Sequence, residues 1–185
     1  MKSTQKGNLV VISAPSGTGK GTIINELLKK QPELRFSVSA TTRTPRPGEK
    51  NGVAYEFLTK ERFLEMIDEG MFLEHAEYVG NFYGTPAKPI IDSIETGKTI
   101  ILDIEVLGAK QVMEKLPDAI TIFIVPPSME ELERRLRGRG TDSEDKLRAR
   151  IKRAADEFEE KSNYKHIVIN DEVSSAVDEI LNIIN

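Results

Sequence analysis

The chain has 185 residues, enough for one domain of ordinary size that buries a substantial core and leaves room for a subdomain. It contains no cysteine, which excludes disulfides, thiolate metal sites and thiol nucleophiles. Its 26 Lys and Arg against 30 Asp and Glu give a net charge of −4, which argues against a general binder of nucleic acid or of acidic membrane. No apolar segment follows the lysines of MKSTQKGN, and no stretch approaches ~18 consecutive apolar residues, so a soluble, cytoplasmic protein is expected.

In chain order, an apolar β-branched run at 9–13 leads into SAPSGTGKGT and then a helical pattern over Thr22–Lys30. From Phe36 to about Pro89 the texture changes to short runs rich in Thr, Arg, Tyr and Phe, punctuated by Pro47-Gly48, Asn51-Gly52, Gly70 and Gly80-Asn81. This stretch is expected to be an inserted, partly β subdomain. Further strand-like runs follow at 99–104, 120–125 and 167–169, with helical patterns at Val106–Lys115, Met129–Arg137, Glu144–Lys161 and Val173–Ile183. Ser128 is placed to cap the Met129 helix. Such alternation predicts an α/β fold, a parallel sheet with helices on both faces. The polar connection GRGTDSED at 138–145 has the composition of a lid.

The junction at 14–22 carries the strongest chemical signal. Residues Ala14, Pro15, Ser16, Gly17, Thr18, Gly19, Lys20, Gly21 and Thr22 lie between a strand and a helix, as in a loop whose backbone N–H groups cradle a polyphosphate. A helix dipole disfavours a cation at its N-terminus, so Lys20 needs a reason, and a β- or γ-phosphate supplies one. The strict pattern G-x-x-x-x-G-K-[ST] is not met, because Ala14 replaces its first Gly and Gly21 its hydroxyl residue; Thr22 brings a hydroxyl one step later.

Three other groups stand out. Arg43 and Arg46, in SATTRTPR, form a pair of forks able to converge on one phosphate, with Tyr55 and Tyr83 as phenolic donors; otherwise they are an exposed loop pair. Glu74 can accept from both N1–H and the 2-amino group of guanine, which adenine cannot match, while Ser39 and Thr85 donate to O6; the alternative is an outward-facing strand Glu. In ILDIE, Asp103 and Glu105 fall on one face at a strand end, Asp103 to act on Mg²⁺ or its waters and Glu105 on a base, unless they cap the next helix. The arginines 134, 135, 137 and 139 suit a small polyanion, or a solvated helix face balanced by Glu130, Glu131 and Glu133. His75 and His166, the only histidines, have no ligand partner at metal spacing and are read as non-catalytic.

Taken together, SAPSGTGKGT, VSATTRTPRPGEKNGVAYEF, FLEHAEYVGNFYGTP, ILDIEVLGAKQV, IFIVPPS, RLRGRGT and VIND resemble bacterial guanylate kinases, in order and at compatible spacing from Gly7 onward. That resemblance implies a P-loop NTP hydrolase-like core (7–35, 90–137 and 148–185), a GMP-binding subdomain at 36–89 and a lid at 138–147. It implies transfer of the ATP γ-phosphoryl group to GMP or dGMP with Mg²⁺. By position it assigns 14–22 to ATP, Arg43, Arg46, Tyr55 and Tyr83 to the GMP phosphate, and Ser39, Glu74, Thr85 and Glu105 to guanine. Lys20, Arg135, Arg139 and Arg150 become the charges around the transferring group, with Thr22 and Asp103 toward Mg²⁺. No nucleic-acid or membrane partner is implied. The rival is a non-catalytic guanylate-kinase-like interaction domain; against it stand Gly17, Gly19 and Lys20, which such domains lose, and Ala40, where they carry Pro.

Overall fold

The computed structural model describes residues 6–53, 55–78, 80–138 and 143–185. Among them are a parallel sheet of strand order β2-β7-β1-β8-β9 and a smaller sheet of order β4-β3-β6-β5. The first comprises β1 (Leu9–Ser13), β2 (Arg35–Phe36), β7 (Ile100–Asp103), β8 (Ile120–Val125) and β9 (His166–Ile169). The second comprises β3 (Ala40–Thr41), β4 (Glu56–Phe57), β5 (Phe72–Tyr78) and β6 (Asn81–Pro86). The helices are α1 (Lys20–Lys30), α2 (Lys60–Asp68), α3 (Ala87–Glu95), α4 (Val106–Lys115), α5 (Met129–Gly138), α6 (Glu144–Phe158) and α7 (Val173–Ile184), with a 3₁₀ turn at Glu159–Asn163. The α/β class expected from the alternation is the one found.

The chain divides into two compact units. One takes the described residues of Met1–Leu9 with Leu34–Leu102 and Leu107–Ala119, and the other takes Val10–Glu33, Asp103–Val106 and Ile120–Asn185.

In the second unit β8 runs parallel to both β1 and β9, Val10 facing Ile120 and Ile122 facing His166. Val10, Val11, Ile12, Ile122, Phe123 and Ile124 are fully buried, the near-continuous apolar signature of strands covered on both faces. Helices α1 and α7 pack together, burying Ile23, Ile24 and Leu27 on one and Ala176, Val177 and Ile180 on the other. Helices α5 and α6 share Leu132, Leu136, Leu147 and Ala154. Ser128 caps α5 as expected, its hydroxyl accepting from the N–H of Glu131 at 3.1 Å.

In the first unit the β5–β6 hairpin sets the register that matters, with Glu74 directly opposite Thr85 and Ala76 opposite Tyr83. Phe63 and Met66 of α2 pack with Ala40 and Phe72 to form a separate small core, and the Phe63 and Phe72 rings stack at 4.5 Å. Helix α2 lies within the stretch expected to be partly β, and α3 begins at its end and continues through residues for which no element is expected from the sequence.

Candidate active site

The loop at 14–22 keeps its shape through backbone conformation and three outside tethers. Gly17 and Gly19 adopt φ of 93° and 94°, a region that favours glycine. The hydroxyl of the buried Thr18 donates to the Pro15 carbonyl at 2.6 Å, and the Thr18 N–H closes on the same oxygen at 3.2 Å. Thr18's own carbonyl accepts from Asn170 Nδ2 at 2.6 Å and from Arg135 Nη1 at 3.4 Å. Arg135 also donates to the Asn170 carbonyl at 3.0 Å and to Glu131 at 2.7 Å, while Arg150 donates to Ser16 Oγ at 2.9 Å. Of the expected charges, Arg135 and Arg150 therefore meet on this loop; Arg139 lies outside the described residues.

Helix α1 starts at Lys20, two residues earlier than its apolar pattern indicates, because Gly19 serves as its N-cap and the Ile23 N–H bonds the Gly19 carbonyl. That places Lys20 at the dipole's positive end, where the Asp103 carboxylate pairs with it and the Ile104 carbonyl accepts at 3.4 Å. Asp103 is the last residue of β7, so the acid at the strand end compensates a lysine rather than capping α4. Glu105 lies beyond the strand, exposed, and accepts from Arg153 at 2.6 Å. Thr22 is exposed on α1.

Among the described residues no three His, Cys, Asp or Glu stand together as a metal cage.

The first unit gathers the other expected residues in two groups. Around Arg43, the guanidinium lies 5.4 Å from the Tyr55 ring centre and 5.7 Å from that of Phe57, and Tyr55 meets Tyr83 edge-on at 6.2 Å. Glu49, which sequence reasoning missed, accepts from Arg43 Nη2 at 3.0 Å and from the Arg46 N–H at 2.7 Å. The Glu49 carboxyl is held below its usual range chiefly by Arg43, and the Arg43 guanidinium is raised chiefly by Glu49. Glu49 thus fixes the direction of the Arg43 guanidinium. Arg46 is exposed beside it.

The second group centres on Glu74. Its side chain is not outward-facing: it is 7% exposed and accepts from the Thr85 hydroxyl at 2.6 Å. Ser39 is half-buried, and its carbonyl accepts from the Glu56 N–H at 2.9 Å. The pKa of His75, next to Glu74, is lowered by burial and then by the charge of Lys115.

A parallel α/β sheet with a Gly-rich strand-to-helix loop, its lysine at the helix start, defines a nucleotide-binding protein of the P-loop class. The whole described chain carries a more specific likeness. The guanylate kinase family model matches residues 6–185, and the chain belongs to that family. The chain is 48% identical over 183 residues to the guanylate kinase of Synechocystis sp. (strain ATCC 27184 / PCC 6803 / Kazusa), covering 99% of this chain and 96% of that one. It is 50% identical over 173 residues to the guanylate kinase of Trichodesmium erythraeum (strain IMS101), covering 94% of this chain and 93% of that one. The crystal structure of guanylate kinase from Anaplasma phagocytophilum superposes with a TM-score of 0.76 at 38% identity, over 97% of this chain and 85% of that one. Membership supports a catalytic nucleoside monophosphate kinase over the non-catalytic interaction domain. No helix among the described residues is long and apolar enough to cross a membrane.

Proposed function

We propose that the protein transfers the γ-phosphoryl group of ATP to GMP or dGMP, giving ADP and GDP or dGDP. The observation that carries the guanine assignment is the buried Glu74 carboxylate beside Thr85. An ionised carboxylate has only acceptors, so it pairs with the adjacent donors of guanine and meets an acceptor at N1 of adenine. Ser39, Thr85 and Glu105 complete the recognition of the base in this reading. Arg43 and Arg46, with Tyr55 and Tyr83, hold the monophosphate, whose arrival displaces Glu49 from Arg43.

The loop at 14–22 takes the ATP phosphates on its backbone N–H groups, with Asp103 and Thr22 toward the Mg²⁺ that accompanies them. When bound, that ion neutralises charge on the β- and γ-phosphates. An oxygen of the GMP phosphate bonds to the γ-phosphorus as the bond to the β–γ bridging oxygen breaks, and the pair left on that oxygen becomes the new charge of ADP. The attacking oxygen is already ionised, so no side chain need remove a proton. Lys20, Arg135, Arg139 and Arg150 supply positive charge where the transferring group passes. Segments 36–89 and 138–147 serve as the GMP-binding subdomain and the lid, and the reaction belongs to the cytoplasm and to purine nucleotide metabolism, including GMP recycling.

A coupled assay of ADP formation with GMP, dGMP, AMP, CMP and UMP tests the assignment. Turnover with GMP and dGMP far above the other three is expected; equal turnover with AMP would remove Glu74 from base recognition.

A further inference from the structure

Helix α4 carries a glycine in its first turn, Gly108, and nothing about its backbone requires one. Its φ lies outside the left-handed region where glycine is favoured. By helix propensity alone, alanine there is better by about 0.5–1 kcal/mol. The space around Gly108 supplies the reason that the backbone does not. A Cβ at this position would stand 2.6 Å from Glu74 Oε2, 3.1 Å from its Cδ and 3.3 Å from its Cγ. All three of the nearest atoms to that Cβ belong to Glu74.

The helix has little freedom to retreat from such a group, because the same face is tied to the backbone on either side of Glu74. Gln111 Nε2 donates to the His75 carbonyl at 2.9 Å, and the His75 N–H donates back to Gln111 Oε1 at 3.2 Å. Lys115 Nζ donates to the carbonyls of Phe72 at 3.0 Å and Leu73 at 2.7 Å. Residues 108, 111 and 115 follow the spacing of one helical face, and strand β5 is the edge of its sheet. Gln111 and Lys115 thus stand where a further strand would pair, while Gly108 leaves the gap that the carboxylate fills.

We propose that Gly108 is a positioning residue for base selection: the missing side chain holds open the place from which Glu74 reaches Thr85 and the guanine edge. This rests on the base reading proposed above. The atoms that a Cβ meets are the far end of a flexible side chain, so the fold can relieve the clash simply by rotating Glu74 away from Thr85. Substitution at Gly108 is therefore expected to damage recognition and to cost stability only what the buried Glu74–Thr85 hydrogen bond supplies.

The test measures kcat and KM for GMP at saturating ATP, with melting temperatures, for wild type, Gly108→Ala, Glu74→Asp, Glu74→Gln and the double variant Gly108→Ala with Glu74→Asp. Gly108→Ala is expected to raise the KM for GMP by about tenfold, as expected for a charge-assisted hydrogen bond made poorly, with kcat within about threefold of wild type and a melting temperature no lower than that of Glu74→Gln. In the Glu74→Asp background, where the carboxylate is one methylene shorter and withdrawn from the gap, the same alanine should raise KM less than about threefold. An unchanged KM in Gly108→Ala, an equal effect in both backgrounds, or a melting temperature clearly below that of Glu74→Gln overturns the inference. Glu74→Gln separates the two levels. If it leaves the KM for GMP unchanged, the base reading falls and this inference with it; if it raises KM while Gly108→Ala does not, only the role of Gly108 is lost.

Discussion

Lys20 and Glu74 show how differently one ionised side chain can be prepared for a ligand. Lys20 stands at the positive end of α1, 20% exposed, with Asp103 as its counter-charge, so its work with a polyphosphate is electrostatic. Lys20→Met is expected to lower kcat several hundredfold, the scale of one lost transition-state donor, with little change in melting temperature because the pair is partly solvated. A rate within a few-fold of wild type would remove the loop from phosphoryl transfer. Glu74 is buried and already accepts from Thr85, and the role proposed for it is selection of the base. Glu74→Gln places a donor against a donor and should lower kcat/KM for GMP by about ten- to a hundredfold, while AMP loses much less. Equal losses for both nucleotides would indicate a general defect of the site.

At the scale of elements, the loop and helix α5 are built against each other. A Cβ on Gly17 would come within 2.6 Å of Leu136 Cδ2 and 3.3 Å of Leu132 Cδ1, at a φ of 93° that already penalises a side chain. Gly17→Ala is expected to destabilise the fold by about 1–3 kcal/mol and to weaken ATP binding, both measurable by denaturant unfolding and by calorimetry. Most of this frame is legible in the sequence, because the buried strands β1, β7 and β8 are continuous apolar runs and α1, α4, α5 and α7 repeat at helical spacing. Helix α2 escapes notice because it is short and buries only Phe63 and Met66. Pro89 serves in the sequence only as the end of the partly β stretch, yet α3 runs through it, because a proline in the first helical turn forfeits no intrahelical bond. In the site, residue types that match a ligand's chemistry are legible; their supports are not. Asn170 holds the loop, and Glu49 and Arg153 pair with Arg43 and Glu105, through contacts that no local pattern announces, whereas the Glu131–Arg135 pair follows the i,i+4 spacing of α5.

Across the whole molecule, two groups set expectations for pH. Hydrogen bonds from Arg134 and then Arg135 hold the Glu131 carboxyl down to about 2. A lowered carboxyl stabilises the fold above the ordinary range near 4.5, and that contribution disappears as pH falls from there to about 2. Glu131→Gln should therefore lose less stability than wild type over this acid window, as read by urea unfolding at its two ends. Tyr164 is the opposite case: burial pushes its phenol up to about 12, so the unfolded chain ionises first as pH rises. Its contribution is intact below about 10 and fades toward 12. Urea unfolding of wild type and Tyr164→Phe at about pH 9 and about pH 11 checks this, the variant losing less stability between the two. An equal loss would place the alkaline sensitivity elsewhere.

The pairing of Tyr55 with Tyr83 beside Arg43 also has an optical side. The chain has four tyrosines and no tryptophan, so its ultraviolet emission comes from phenols alone, and two of the four belong to this one cluster. A phosphate dianion drawn to Arg43 would arrive among them and change their emission, making the native chain a label-free reporter of monophosphate binding. Titration with GMP should then alter tyrosine fluorescence with a saturable profile, and Tyr83→Phe should remove a large part of the signal without any dye having been attached.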